Sequence, residues 1–206
     1  MKNYCLNAPK SLYLIILLYI ITLLITGTNY PVFRDELYYL DCANHPAFGY
    51  VDHPPVSIII LAIWKAVFGD SLISLRVIPA LCGGILIFLT GLITHTIGGN
   101  KPAQIFSAIS VACFPVFWVL NGFYSMNCID LVIWAALFYL LIKLINTQNG
   151  KIWILFGIIA GIGLMNKISV GYLGAGLLAG IVFTSERKWF KNKYFWYAGA
   201  AVLIIF

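Results

Sequence analysis

Hydrophobic and polar positions fall into long blocks along this chain. Apolar runs cover Ser11 to about Thr28, Val56 to Phe68, Ser74 to about Ile97, Ala103 to Leu120, Leu131 to Ile145, Trp153 to Met165 and Val170 to Phe183, and a last one begins at Tyr194. Repeated apolar runs near spanning length predict transmembrane helices. The expected fold class is all-α: a polytopic transmembrane helical bundle of about six to seven spans, with interfacial helices in the first long polar interval. Asn29-Tyr30-Pro31 closes the first run, because proline disfavours helical geometry in the residue before it. From Asp35 to about Asn44, apolar and charged residues interleave, which predicts a short amphipathic helix lying in the interface. Pro46 ends it, and Pro54-Pro55 opens the next helix, where missing N–H donors cost little.

Val56 to Phe68 decides the topology. It holds about 13 residues, ~20 Å as a helix, against a hydrocarbon core of ~30 Å, and it carries Lys65. It is read as re-entrant or interfacial. With it excluded, the N-terminus, Lys101 and the basic segment Arg187, Lys188, Lys191 and Lys193 all fall in the cytoplasm, as the positive-inside rule requires. Counting it as a span would turn the most basic segment outward. The same parity places Asp35, Glu36, Asp52, His53, Arg76, Asn127, Asp130 and Lys167 together on the outer side. Residues 29–73 then form the first extracytoplasmic loop, and no soluble domain or internal repeat is evident. Gly157/Gly161 and Gly176/Gly180 are spaced for close helix packing in lipid.

Composition agrees. The chain is 62% hydrophobic and 10% charged, with a mean hydropathy of +0.94, whereas soluble chains run roughly 25% charged. The net charge of +6 comes from cations scattered at helix ends, which read as topology signals and lipid contacts, not as a nucleic-acid surface. The five cysteines make no CxxC pair and no metal-ligand spacing, and Cys82 and Cys113 read as small buried hydrophobes. The first apolar run continues to spanning length without a small-residue cleavage site, so it is expected to be retained.

The polar blocks carry a resemblance. Arg34-Asp35-Glu36-Leu37-Tyr38-Tyr39, Gly49-Tyr50-Val51-Asp52-His53-Pro54-Pro55, Phe68-Gly69-Asp70-Ser71 and Leu75-Arg76-Val77-Ile78-Pro79-Ala80 occur in that order. Met126-Asn127-Cys128-Ile129-Asp130 and the glycine-rich stretch Gly157 to Lys167 follow. Together they resemble the N-terminal half of the GT-C membrane glycosyltransferases, in the branch of dolichyl-phosphate-mannose protein mannosyltransferases and aminoarabinose transferases. Members of that family are far longer, so the resemblance implies that these residues are an N-terminal part of such a protein, and whether they act alone stays open. It also implies a bacterial or archaeal plasma membrane and an extracytoplasmic site. A hexosyl or pentosyl group would pass, with inversion, from a polyprenyl-phosphate donor to a protein or lipid acceptor, without a resident cofactor. A divalent metal stays open, although Asp52 and His53 alone are too few ligands to suggest one.

Such a displacement needs a base for the acceptor proton, cations for the departing phosphate and a greasy groove for the prenyl chain. By the resemblance Asp35 is the base, with Glu36 orienting or substituting; a plain helix N-terminus would also favour both acids. Arg76 and Lys167 are the candidates for the phosphate, Arg as a bidentate fork and Lys as a point charge. Arg34 is either a substrate contact or a snorkelling anchor. Asp52 and His53 bind sugar, position the acceptor, or only shape a proline-rich turn. Asn127 belongs to the motif that ends in Asp130, and Asp130 is a helix cap or a partner for the cations. Tyr38, Tyr39, Tyr50 and Tyr124 suit the interface belt, some of them suiting a sugar ring too. A transporter or flippase for an anionic or lipid-linked substrate, and an inactive fragment, are the alternatives. Charges collected at helix ends instead of the midplane disfavour transport.

Overall fold

The computed structural model describes residues 8–206, so Lys2 and Cys5 lie outside the described residues. Among the described residues the regular structure is helical throughout. In chain order the helices are α1 (Lys10–Gly27), α2 (Arg34–Asn44), α3 (Val56–Phe68), α4 (Leu72–Thr96), α5 (Lys101–Cys113), α6 (Pro115–Leu120), α7 (Met126–Thr147), α8 (Ile152–Leu164), α9 (Val170–Phe183) and α10 (Lys193–Ile205). A short 3-10 helix, Ser185–Lys191, precedes α10. Polar side chains start several of them by accepting a backbone N–H that the helix leaves unpaired. Ser71 takes that of Ser74 (3.4 Å), Asn100 that of Ala103 (3.0 Å) and Asn192 that of Tyr194 (2.9 Å).

Among the described residues three helices are long and apolar enough to cross a membrane: α1 with 18 residues, α4 with 25 and α7 with 22. The run from Ala103 to Leu120, expected as one span kinked or thinned at Pro115, is divided into α5 and α6 at that proline, with Phe114 extended (ψ 119°) ahead of it. Pro115 supplies no N–H and biases Phe114 out of the helical region. α8, α9 and α10 have 13, 14 and 13 residues. Leu14, Leu17, Leu18, Ile21 and Ile25 of α1 are all exposed. A helix apolar on every face and left uncovered needs lipid around it. The chain is an integral membrane protein.

The helices run back and forth between two ends. At one end, the last turn of α1, the start of α4 and the segment before α7 meet around Arg76. At the other, Asn146 donates to Thr96 O (2.7 Å), and Gly150 lies against Asn192 and Tyr194. Lys101, Lys151 and the basic segment 187–193 collect at this second end, opposite Asp35 and Lys167.

Helix α3 stays at the first end. Its first N–H, Val56, donates to Met165 O (3.0 Å) in the turn between α8 and α9. Near its last turn, the Trp64 indole donates to Ser74 of α4 (3.0 Å to Oγ), and Lys65 donates to Asn44 of α2 (2.6 Å). Both ends of α3 therefore touch the same end of the bundle, a placement made by these contacts and not by length, since α8 is equally short yet runs from one end to the other.

Two apolar clusters hold these elements. Leu12, Tyr19 and Leu23 of α1 pack on Ala80 and Ile87 of α4 and Ala108 of α5. A larger cluster joins α2, α3, α4, α7, α8, α9 and α10 through residues such as Tyr39, Leu61, Leu75, Leu137, Trp153, Val170 and Ala198. The two glycine pairs differ. A Cβ at Gly157 would stand 2.6 Å from the Ala198 Cα, and one at Gly161 2.9 Å from Ile205 Cβ, so α8 lies almost backbone to backbone against α10. At Gly176 and Gly180 nothing lies within 4 Å, so the second pair, also expected to pack, faces open space.

Gly157→Leu is therefore expected to lower the thermal midpoint of the detergent-solubilised protein, since overpacking against a backbone costs about 1–3 kcal/mol. Gly176→Ala should hold or raise it, because alanine favours helix over glycine by about 1 kcal/mol. Differential scanning fluorimetry of the two variants checks both.

Candidate active site

The site begins with the first turn of α2. Glu36, three residues past the helix-entry residue Phe33, reaches back to accept the Phe33 N–H (2.8 Å), pairing a donor that the helix leaves free. The same carboxylate accepts the Tyr124 N–H (2.8 Å) and pairs with the Arg76 guanidinium. Arg76 also donates from Nε to Gly27 O (3.3 Å) and from Nη2 to Pro31 O (3.2 Å). Glu36 and Arg76 are both buried. Their donors and acceptors are taken up by the end of α1, the entry to α2, α4 and the segment before α7.

This placement departs from two expectations. Arg76, expected at a lipid phosphate, is enclosed by protein and engaged by a carboxylate and two carbonyls. Glu36, expected to orient or replace the base, faces the interior. The physical reason is helix geometry, since neighbouring residues point about 100° apart. With Glu36 turned inward, Asp35 turns outward.

Asp35 lines a cleft of about 450 Å³ together with Arg34, Tyr38, Tyr39, Asp52, His53 and Met126. Its side chain is 47% exposed, and the Arg34 Nε beside it at 3.4 Å belongs to a side chain 92% exposed. Such a pair is weak and screened by solvent. The carboxylate is held in place by the helix rather than by that cation. One wall of the cleft is aromatic: His53 stacks on Tyr39 (centroids 5.0 Å apart, planes at 4°) with Tyr38 and Tyr50 around it. The Tyr39 hydroxyl accepts the Met126 N–H (3.1 Å), and burial pushes its phenol up despite that hydrogen bond. Tyr50, expected at substrate, has its hydroxyl engaged inside its own loop. It accepts the Ala47 N–H (2.9 Å) and lies 3.2 Å from His45 O. Tyr124, expected in the interface belt, is buried and donates to Ser57 O (2.5 Å).

Beside Met126 lies a second polar group. Lys167 donates to Asn127 Oδ1 (2.7 Å) and stands 3.9 Å from Asp130, with a third of its side chain exposed. Ser169 donates to Asp130, at 3.0 Å from either oxygen. Asn166 ties the turn down by donating to Met126 O (3.0 Å). Asp130 thus acts as a partner for the cation. Ser169 was not foreseen, and a lone serine after Asn166-Lys167 carries no pattern that would reveal it. Met126 was missed as a cleft residue for the same reason. Among the described residues no group of three or more His, Cys, Asp or Glu is placed to hold a metal ion.

Comparison with known proteins places the chain. Residues 52–206 match the dolichyl-phosphate-mannose-protein mannosyltransferase family. The chain belongs to this family. The match contains Asp52, His53, Arg76, Asn127, Asp130 and Lys167, and starts after the acidic pair. The chain is also similar to undecaprenyl phosphate-alpha-4-amino-4-deoxy-L-arabinose arabinosyl transferase 1 of Pseudomonas fluorescens. With the protein of strain Pf-5 it shares 26% identity over 162 residues, 75% of this chain and 29% of the relative. With that of strain Pf0-1 it shares 26% over 123 residues, 57% of this chain and 21% of the relative. The chain thus spans less than a third of the length of these relatives. No solved structure matches.

The buried pair predicts a stability signature. Glu36→Ala and Arg76→Ala should each cost about 3–5 kcal/mol, because each strands a buried charge. The double variant Glu36→Leu/Arg76→Met should recover much of that loss. Asp35→Asn should stay within about 0.5 kcal/mol of the parent, as a surface substitution does. Denaturant unfolding of the four variants in detergent checks the pattern.

Proposed function

We propose that this chain forms the catalytic end of a membrane glycosyltransferase that moves a sugar from a polyprenyl-phosphate donor to a protein or lipid acceptor. The observation that carries the reading is the division of labour between two adjacent acids. Glu36 is locked into the fold, while Asp35 lines an open cleft with no strong partner. Asp35 is the general base: it takes the proton of the acceptor hydroxyl as that oxygen bonds to the anomeric carbon. The bond from that carbon to the lipid phosphate breaks with inversion, and the phosphate carries away the electron pair. Transfer of either a hexose or a pentose fits this scheme, and no resident cofactor is required.

Lys167 receives the lipid phosphate. Its support is position: one third exposed, steered by Asn127 and Asp130, and next to the Met126 wall of the cleft. An apolar groove of about 580 Å³ between α7 and α9 starts beside it at Trp134, whose indole donates to Ser169 Oγ (3.4 Å), and runs to Trp189. The open flank of Gly176 and Gly180 lines this groove, and the prenyl chain lies there. Arg34, at the mouth of the cleft, meets the acceptor or the membrane surface. The cleft faces the extracytoplasmic side of a bacterial or archaeal plasma membrane, and the basic end, with the N-terminus, faces the cytoplasm.

Two experiments test this. Asp35→Asn in the full-length protein should insert normally and bind polyprenyl phosphate, yet lose about 10²–10⁴-fold in turnover. Wild-type turnover by that variant removes Asp35 from the chemistry. In sealed vesicles, a maleimide that cannot cross the membrane should label Arg34→Cys and Lys167→Cys from one side, and Lys101→Cys and Arg187→Cys from the other. Labelling of positions 34 and 167 from opposite sides would break the single site.

A further inference from the structure

His53 is the one member of the cleft whose bonding is left half finished. Its ring is buried, at 5% exposure, and Nδ1 lies 3.1 Å from its neighbour's carbonyl, Pro54 O. A carbonyl only accepts, so Nδ1 carries the hydrogen. In the neutral ring Nε2 is then a bare acceptor. That nitrogen is buried and has no hydrogen-bond partner. An acceptor left unpaired inside a protein is unfavourable, and such atoms call for an explanation.

The surroundings show what could reach it. Tyr39, stacked beneath the ring, is anchored by the Met126 N–H, and Tyr50 is anchored within its loop. Tyr38 meets the ring edge-on at 5.7 Å and is itself 37% exposed, which makes it the neighbour with room to turn aside. Beyond it the cleft holds the carboxylates of Asp35 and Asp52. A ligand entering here meets flat aromatic faces, two acids and one acceptor nitrogen. Polyhydroxylated rings fit that set: their C–H faces lie on aromatic rings and their hydroxyl or amino groups donate.

We infer that His53 Nε2 accepts a hydrogen bond from a hydroxyl or amino group of the sugar on the lipid-linked donor, with Tyr38 turning aside to admit it. This rests on the transferase reading and adds to it the residue that distinguishes a sugar-bearing lipid from the bare lipid. His53 is then a specificity residue, and Asp35 retains the proton transfer. The Pro54 carbonyl acts through His53 by fixing the tautomer that leaves Nε2 free to accept.

The test compares affinities of the full-length protein in nanodiscs for undecaprenyl phosphate and for undecaprenyl phosphate bearing mannose or 4-amino-4-deoxy-L-arabinose. His53→Phe keeps a flat ring on Tyr39 and deletes the acceptor; His53→Gln keeps an acceptor. Wild-type protein should prefer one of the sugar-bearing lipids. His53→Phe should lose about tenfold of that preference, the scale of one neutral hydrogen bond, with the bare lipid bound as before. His53→Gln should restore part of it. An unchanged preference in His53→Phe, with transfer intact in the wild type, overturns the role of His53 alone. So does a rise in KM for the acceptor with donor affinity unaltered. Absence of any preference for sugar in the wild type overturns the transferase reading and this inference with it.

Discussion

A buried carboxylate and a buried guanidinium set the geometry of this protein's polar end. Desolvating two charges is costly, and their attraction offsets the cost only when the remaining hydrogen-bonding groups are also satisfied. Glu36 and Arg76 meet that condition with the backbone of four residues: Gly27, Pro31, Phe33 and Tyr124. Apolar packing in a bilayer is weakly directional, since lipid tails are as greasy as side chains. A satisfied ion pair is directional. It sets how the start of α2 sits against α1 and α4, and thereby the direction in which Asp35 points.

Much else at that end follows from this anchor. With α2 fixed, Tyr39 lies against Met126 and His53, and the 165–169 turn docks through Asn166 and the Val56 N–H. The cleft is lined by residues from α2, from the 50–55 loop and from the start of α7. No one of these segments forms a pocket alone. The cleft exists only where they converge, and an apolar groove runs from Trp134 to Trp189 nearby.

The second end of the bundle has a plainer construction. Turns 98–101 and 148–151 and the segment 184–193 meet there through polar contacts such as Asn146 to Thr96 and the packing of Trp189 on Trp153, among clustered lysines and an arginine. The two ends thus differ, one organised by a buried ion pair and the other basic and held by packed aromatic rings such as Trp153, Trp189 and Phe195.

Local chemistry made much of this legible. Apolar run lengths marked α1, α4 and α7, because crossing hydrocarbon demands a minimum length. Pro115 marked the break between α5 and α6. The convergence of residues 34–36, 52–53, 127–130 and 167 at one end followed from counting spans between basic segments. What a linear reading lacked was direction. It could not show that Glu36 turns inward and Asp35 outward, since that depends on where Arg76 stands. Nor could it show that Gly157 meets a backbone while Gly176 meets nothing, since both pairs have the same spacing. Partners such as Ser169 and the Tyr124 N–H leave no pattern in the chain, because a hydrogen bond across 39 or 88 positions exists only once the helices have packed.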